Sequence, residues 1–127
     1  MEQDLHAFAK GFDYTVIIFY AATYEHCQVE IPQMDSIMNL LENRYNIRIG
    51  RYAICNETGI PASTWKKFII DNKLDINYVH VKITNGHPAR NDYNAYDNPI
   101  SFLIGKKGEI IARKMGPVSL KISLIVK

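Results

Sequence analysis

Cysteine is scarce in this chain, with two in 127 residues, which excludes a disulfide-stapled miniprotein and any four-cysteine metal site. Long apolar runs are missing as well. No stretch approaches the roughly 18 residues that a membrane helix needs. An excess of one charge is also missing: 15 basic against 13 acidic side chains give +2. That field is too weak to point to nucleic acid or an anionic membrane as the main partner. In Met1-Glu2-Gln3-Asp4-Leu5-His6 no basic region precedes an apolar stretch, so no signal peptide is visible. This fits either a cytoplasmic protein or a domain cut from a longer chain.

What is present describes a folded domain. Hydrophobic residues at 47% and aromatics at 11% take the chain out of the disordered class. Its length suits a single domain with a core that needs no staples. The first clear element, Tyr14-Thr15-Val16-Ile17-Ile18-Phe19-Tyr20, is a continuous β-branched and aromatic run, as in a strand covered on both faces. A short loop from Ala21 to His26 leads into a helix whose Met34, Ile37, Met38, Leu41 and Tyr45 mark one buried face. Pro32 lies inside that helix and is expected to kink it.

A second strand is expected over Ile47 to Cys55, then a helix opened by Pro61 with Trp65, Phe68 and Ile69 on one side and ended by Asn72-Lys73. Tyr78 to Ile83 alternates like a strand. The polar stretch from Thr84 to Asn98 is long for a loop and predicts a helical turn or two around Ala89 to Ala95. Ile100 to Ile104 and Glu109 to Arg113 flank Gly105-Lys106-Lys107-Gly108, a β-hairpin with glycines where positive φ is expected. In the tail, Val118 to Val126 alternates like a strand, while Gly116-Pro117 is a good helix start, and a helix is the reading taken. The order βαβα(βα)ββα predicts an α/β sandwich whose central mixed sheet is flanked by helices, with parallel strands first and an antiparallel hairpin last.

Cys27 is the most informative position. It falls where a buried strand gives way to a helix, so it belongs in that helix's first turn. There the free N–H groups and the helix dipole favour a thiolate. Glu30, three residues on, lies on the same face and acts against that. A buried, inert cysteine is the plain alternative.

The segment Phe19-Tyr20-Ala21-Ala22-Thr23-Tyr24-Glu25-His26-Cys27-Gln28-Val29-Glu30-Ile31-Pro32 resembles the active-site segment of thioredoxin-fold proteins, most of all the TlpA-like thiol-disulfide oxidoreductases of bacterial cell envelopes. In that family a strand ends in an aromatic residue, a Cys-x-x-Cys pair opens the helix, and a proline follows the second cysteine by five residues. Cys27 and Pro32 keep that spacing. Glu30 matches a family glutamate implicated in proton transfer, and His26 matches a histidine that tunes the thiol. Asp97-Asn98-Pro99-Ile100-Ser101-Phe102 is similar to the loop whose cis-proline faces the cysteines. The resemblance covers about residues 12 to 126 and implies one thioredoxin-like domain over 1–127. It also implies no cofactor, a thiol- or disulfide-bearing protein as partner, and a bacterial periplasm or cell-envelope setting if a signal or anchor lies outside this chain.

The departure from the family pattern matters more. Where the family has its first, exposed cysteine, this chain has Tyr24, so the motif reads Tyr24-Glu25-His26-Cys27. In the dithiol mechanism the first thiolate attacks and the second cysteine resolves the mixed disulfide. Cys27 holds the resolving position, so the resemblance implies weak or lost dithiol activity. Cys55, near the end of a parallel strand, is a candidate second thiol. A helix-start residue and a neighbouring strand end often miss the roughly 7 Å Cα separation that a bridge needs, so separate buried thiols are expected.

Other readings are weaker. A peroxiredoxin-like peroxidase places a hydroxyl three residues before its cysteine. Tyr24 is a poor substitute for threonine there, Thr23 is one residue early, and nothing marks Arg51, Arg90 or Arg113 as the arginine such a site needs. His26, His80 and His87 share no zinc-site spacing, so no metal is expected. Tyr14, Tyr20, Tyr24, Tyr93 and Tyr96 are candidates for an aromatic lining at the active-site end, beside the Asn98-Pro99 groove, where related proteins bind an extended peptide. That groove supports the alternative of a non-catalytic module that binds a partner chain. Lys106, Lys107, Arg113 and Lys114 read as a solvated edge.

Overall fold

The computed structural model describes residues 2–21, 25–55, 61–74, 78–82 and 100–113. Its elements are α1 (Glu2–Ala9), β1 (Tyr14–Tyr20), α2 (Glu25–Tyr45), β2 (Ile49–Cys55), α3 (Ala62–Asp71), β3 (Tyr78–Lys82), β4 (Ile100–Gly105) and β5 (Ile110–Ala112). The strands form one sheet in the order β3-β2-β1-β4-β5. Strands β1, β2 and β3 run parallel. β4 runs antiparallel to β1, and β5 antiparallel to β4. This is the mixed sheet with flanking helices that the sequence predicts.

β1 is central, and the residues Thr15 to Tyr20 are all buried, which is why its sequence is an unbroken β-branched and aromatic run. The crossovers β1–α2–β2 and β2–α3–β3 step the same way across the sheet. Right-handed connections of that kind set both helices on one face. There Val16, Ile18 and Tyr20 of β1 pack with Cys27, Ile31, Met34, Met38 and Leu41 of α2 and with Phe68 and Ile69 of α3. On the opposite face Leu5 packs with Ile17, Phe19, Tyr52, Ile54, Phe102 and Ile104.

α1 is an addition to the sequence reading, which places no element before Tyr14. Leu5 and Ala9 are buried and Phe8 is half-buried, a helical spacing that the polar residues around them obscure. α2 runs through Pro32 without interruption. β2 begins at Ile49, two residues later than expected. Asn46 has a positive φ of 52°, and the Arg48 N–H donates to the Asp13 carboxylate at 2.8 Å. In the hairpin only Gly108 has positive φ, at 86°. Gly105 instead ends β4, its N–H bonded to the Glu109 carbonyl at 2.9 Å and its carbonyl accepting from the Gly108 N–H. The expected helical turns before Asn98 and the expected tail helix lie outside the described residues.

Candidate thiol site

The site forms at the carboxyl ends of β1 and β2, where open α/β sheets commonly place their chemistry. Cys27 is the third residue of α2, in its first turn as expected. It is fully buried. The backbone N–H of Ala21, the residue after β1, donates to its sulfur at 3.5 Å. The end of the strand thus closes over the thiol. Glu30 lies one turn further along α2 and is half-buried. His26 is in α2 between Glu25 and Cys27, and its side chain lies outside the described residues, as do Tyr24, Asn98 and Pro99.

Cys55 ends β2, and its Cα pairs with that of Tyr20. Both cysteines are buried in the same core cluster. Both lie at the same end of the sheet. In a parallel pair, partners in register project to the same face, so Tyr20 and Cys55 share the face that α2 and α3 cover.

Tyr20 is the residue around which this end is organised. It has no exposed surface. Its hydroxyl accepts a 2.8 Å hydrogen bond from the Trp65 indole N–H, and its ring stacks on Phe68 with centroids 5.1 Å apart. Burial pushes the hydroxyl far above its ordinary pKa of 10.0, the Trp65 hydrogen bond opposes this, and charge on Cys55 and Cys27 adds to the rise. The phenol is a neutral packing group beside the sulfurs rather than a base. Of the other tyrosines proposed for this end, Tyr14 is at the opposite end of β1, paired with Ile49 and Gly105. Tyr24, Tyr93 and Tyr96 lie outside the described residues.

Sequence reasoning singled out Trp65 and Phe68 as a helix face but not as partners of Tyr20. The signal was there only in part, since an indole on a buried helix face usually finds an acceptor.

Arg51 does not serve the thiols. Its guanidinium donates to Asp35 at 2.9 Å, to Glu42 at 2.6 Å and to Asn39 at 2.8 Å, and the Tyr78 hydroxyl donates to Asp35 at 2.7 Å. It lies four residues below Cys55 on β2, ~13 Å at the usual strand rise. Arg113 is exposed beyond β5, and Arg90 lies outside the described residues. The arginine that a peroxidatic cysteine requires is therefore not supplied by Arg51. Lys106, Lys107 and Arg113 are exposed at the hairpin, as a solvated edge requires. Among the described residues no group of three or more His, Cys, Asp or Glu is placed to hold a metal ion, and no helix is long and apolar enough to cross a membrane.

No protein-family model matches the chain, and no curated protein matches it. Solved structures do. A thiol:disulfide interchange protein from Bacteroides sp. superposes with a TM-score of 0.71 at 20% identity, over 94% of this chain and 74% of that one. The chain has the thioredoxin fold. A thioredoxin-like protein from Parabacteroides distasonis is similar at TM-score 0.71 and 22% identity, over 90% of this chain and 81% of that one. The thioredoxin domain of a thiol-disulfide oxidoreductase from Bacteroides vulgatus matches at TM-score 0.68 and 18% identity, over 92% and 80%. In this thioredoxin-fold chain Cys27 is the only cysteine of the helix Glu25–Tyr45.

Proposed function

We propose that this chain is a TlpA-like relative of the thiol-disulfide oxidoreductases that has lost the ordinary dithiol cycle and keeps Cys27 as a resolving-position thiol. The observation that carries this reading is the burial of Cys27, fully enclosed beneath the end of β1, with a tyrosine in sequence three residues before it. Attack on a substrate disulfide needs an accessible thiolate, and release of the mixed disulfide needs a second one. Tyr24 supplies neither, and Cys27 cannot receive a protein disulfide while it is enclosed. Glu30 and His26 are the retained surroundings of that lost pair. The cell-envelope setting and a thiol- or disulfide-bearing protein partner belong to the same reading.

The same burial favours a second reading, in which the groove that the family resemblance implies at Asn98-Pro99 binds a partner polypeptide without redox chemistry. Substitution of Tyr24 separates the two. Tyr24→Cys restores the missing thiol, and the variant is expected to reduce protein disulfides in the presence of excess dithiothreitol while the parent does so poorly. No gain in the variant would refute descent from a working dithiol site. Efficient turnover by the parent would refute the loss of activity.

A further inference from the structure

Cys55 is not used in the function proposed above, yet it lies at the same end of the sheet as Cys27. We propose that Cys27 and Cys55 form an oxidisable pair, joined on two-electron oxidation by a disulfide that ties the first turn of α2 to the end of β2. This inference goes beyond the loss of the dithiol cycle and does not depend on it.

The placement comes from two contacts. Cys55 is the register partner of Tyr20. Ala21, the next residue, donates its N–H to the Cys27 sulfur at 3.5 Å. Adjacent strands are ~4.8 Å apart, so one strand spacing separates the backbone that carries Cys55 from the backbone that touches the Cys27 sulfur. Both cysteines belong to the buried cluster that α2 and α3 cover.

Both thiols are fully buried, so the oxidant must be small and must enter by local opening of the first turn of α2. Hydrogen peroxide meets that requirement. It oxidises the Cys27 thiol to a sulfenic acid and is itself reduced to water. The Cys55 sulfur then attacks the Cys27 sulfur, the S–O bond breaks, and a second water leaves with the thiol proton. Two thiols and one peroxide thus become one disulfide and two waters. Closure draws the start of α2 toward β2 until the Cα atoms come within about 7 Å.

The test treats the folded chain with hydrogen peroxide, quenches it, then unfolds, alkylates and digests it for mass spectrometry. The expected result is loss of both alkylatable thiols, a chain lighter by two hydrogen atoms, and a Cys27–Cys55 cross-linked peptide that dithiothreitol reverses. Trp65 emission falls in step, because the new disulfide lies beside the Tyr20–Trp65 pair. In Cys55→Ala the bridge is absent and dimedone traps a sulfenic acid on Cys27. Three results would overturn the pairing: Cys27 oxidised to the sulfinic acid with Cys55 still alkylatable, cross-links only between chains, or both thiols intact at peroxide levels that oxidise a free thiol. None of these bears on the Tyr24→Cys assay.

Discussion

The Trp65 indole N–H and the Tyr20 hydroxyl form a 2.8 Å hydrogen bond that joins α3 to the last residue of β1. Tyr20 has no solvent contact, whereas Trp65 is half-buried. The two ends of this bond therefore differ in what they lose when it is broken. Trp65→Phe leaves a buried hydroxyl without its partner and is expected to cost about 1–3 kcal/mol, beyond the packing lost with the indole. Tyr20→Phe is expected to cost less, because the exposed side of Trp65 lets its N–H reach water. Urea unfolding of both single variants and the double variant gives the coupling energy.

Alkali provides a second test. Burial raises the Tyr20 pKa, as described, and it also raises that of Tyr78, where the negative charge and hydrogen bond of Asp35 add to the rise and Arg51 opposes it. Unfolded tyrosine titrates near 10.0, so above that pH the unfolded chain releases protons that the native chain retains. Bound protons are then fewer in the unfolded state, and stability falls as pH rises. Below pH 10 the contribution of both groups is complete. Unfolding midpoints measured from pH 8 to 11, compared with those of Tyr20→Phe, are expected to fall above 10 and to fall less in the variant.

Arg51 predicts a large loss. Its side chain is only 3% exposed, while its partners Asp35 and Glu42 retain 23% and 30% of their exposure. Arg51→Met removes the cation and leaves two carboxylates and the Tyr78 hydroxyl around an apolar side chain. Breaking a buried pair commonly costs about 3–5 kcal/mol, and the partial exposure of the carboxylates puts the expectation at the lower end. The readout is the midpoint of urea unfolding. Cys27 lies on the first turn of α2, away from this network, so its alkylation in the native state is expected to stay slow.

Gly50 tests the packing of α1. A Cβ at this position would come within 2.6 Å of the Phe12 ring and 2.8 Å of the Phe8 ring. Gly50→Ala is expected to push both rings off the sheet and to cost about 1–3 kcal/mol, as overpacking does. Hydrogen exchange in residues 2–9 is expected to rise more than in β1. Equal effects on both would mean that α1 does not depend on this contact.

How far the sequence was legible varied from element to element. Tyr14–Tyr20 could be read residue for residue, because a central strand buried on both faces is written as one β-branched and aromatic run. The opening of α3 after Pro61 and its end at Asn72 were equally clear from local chemistry. α1 was hidden because Glu2, Gln3, Asp4 and His6 surround Leu5, although Leu5, Phe8, Ala9 and Phe12 carry the helical spacing. The Arg51 network was partly readable: Asp35, Asn39 and Glu42 form a polar stripe on α2, but nothing local says that a strand arginine meets it. At the thiol site, the first-turn place of Cys27 and the shared sheet end of Cys55 followed from spacing and strand order. The Tyr20–Trp65 bond did not, because it joins residues 45 apart in sequence whose meeting depends on how α3 crosses the sheet.

The accessibility of Cys27 carries the functional account, and alkylation of the folded chain measures it directly. Labelling of Cys27 and Cys55, followed by peptide mass spectrometry across a range of pH, is expected to be slow for both and to become complete only on unfolding. Rapid labelling of Cys27 in the native chain, with an apparent pKa clearly below ~8.5, would mean an exposed, activated thiolate and would contradict the account.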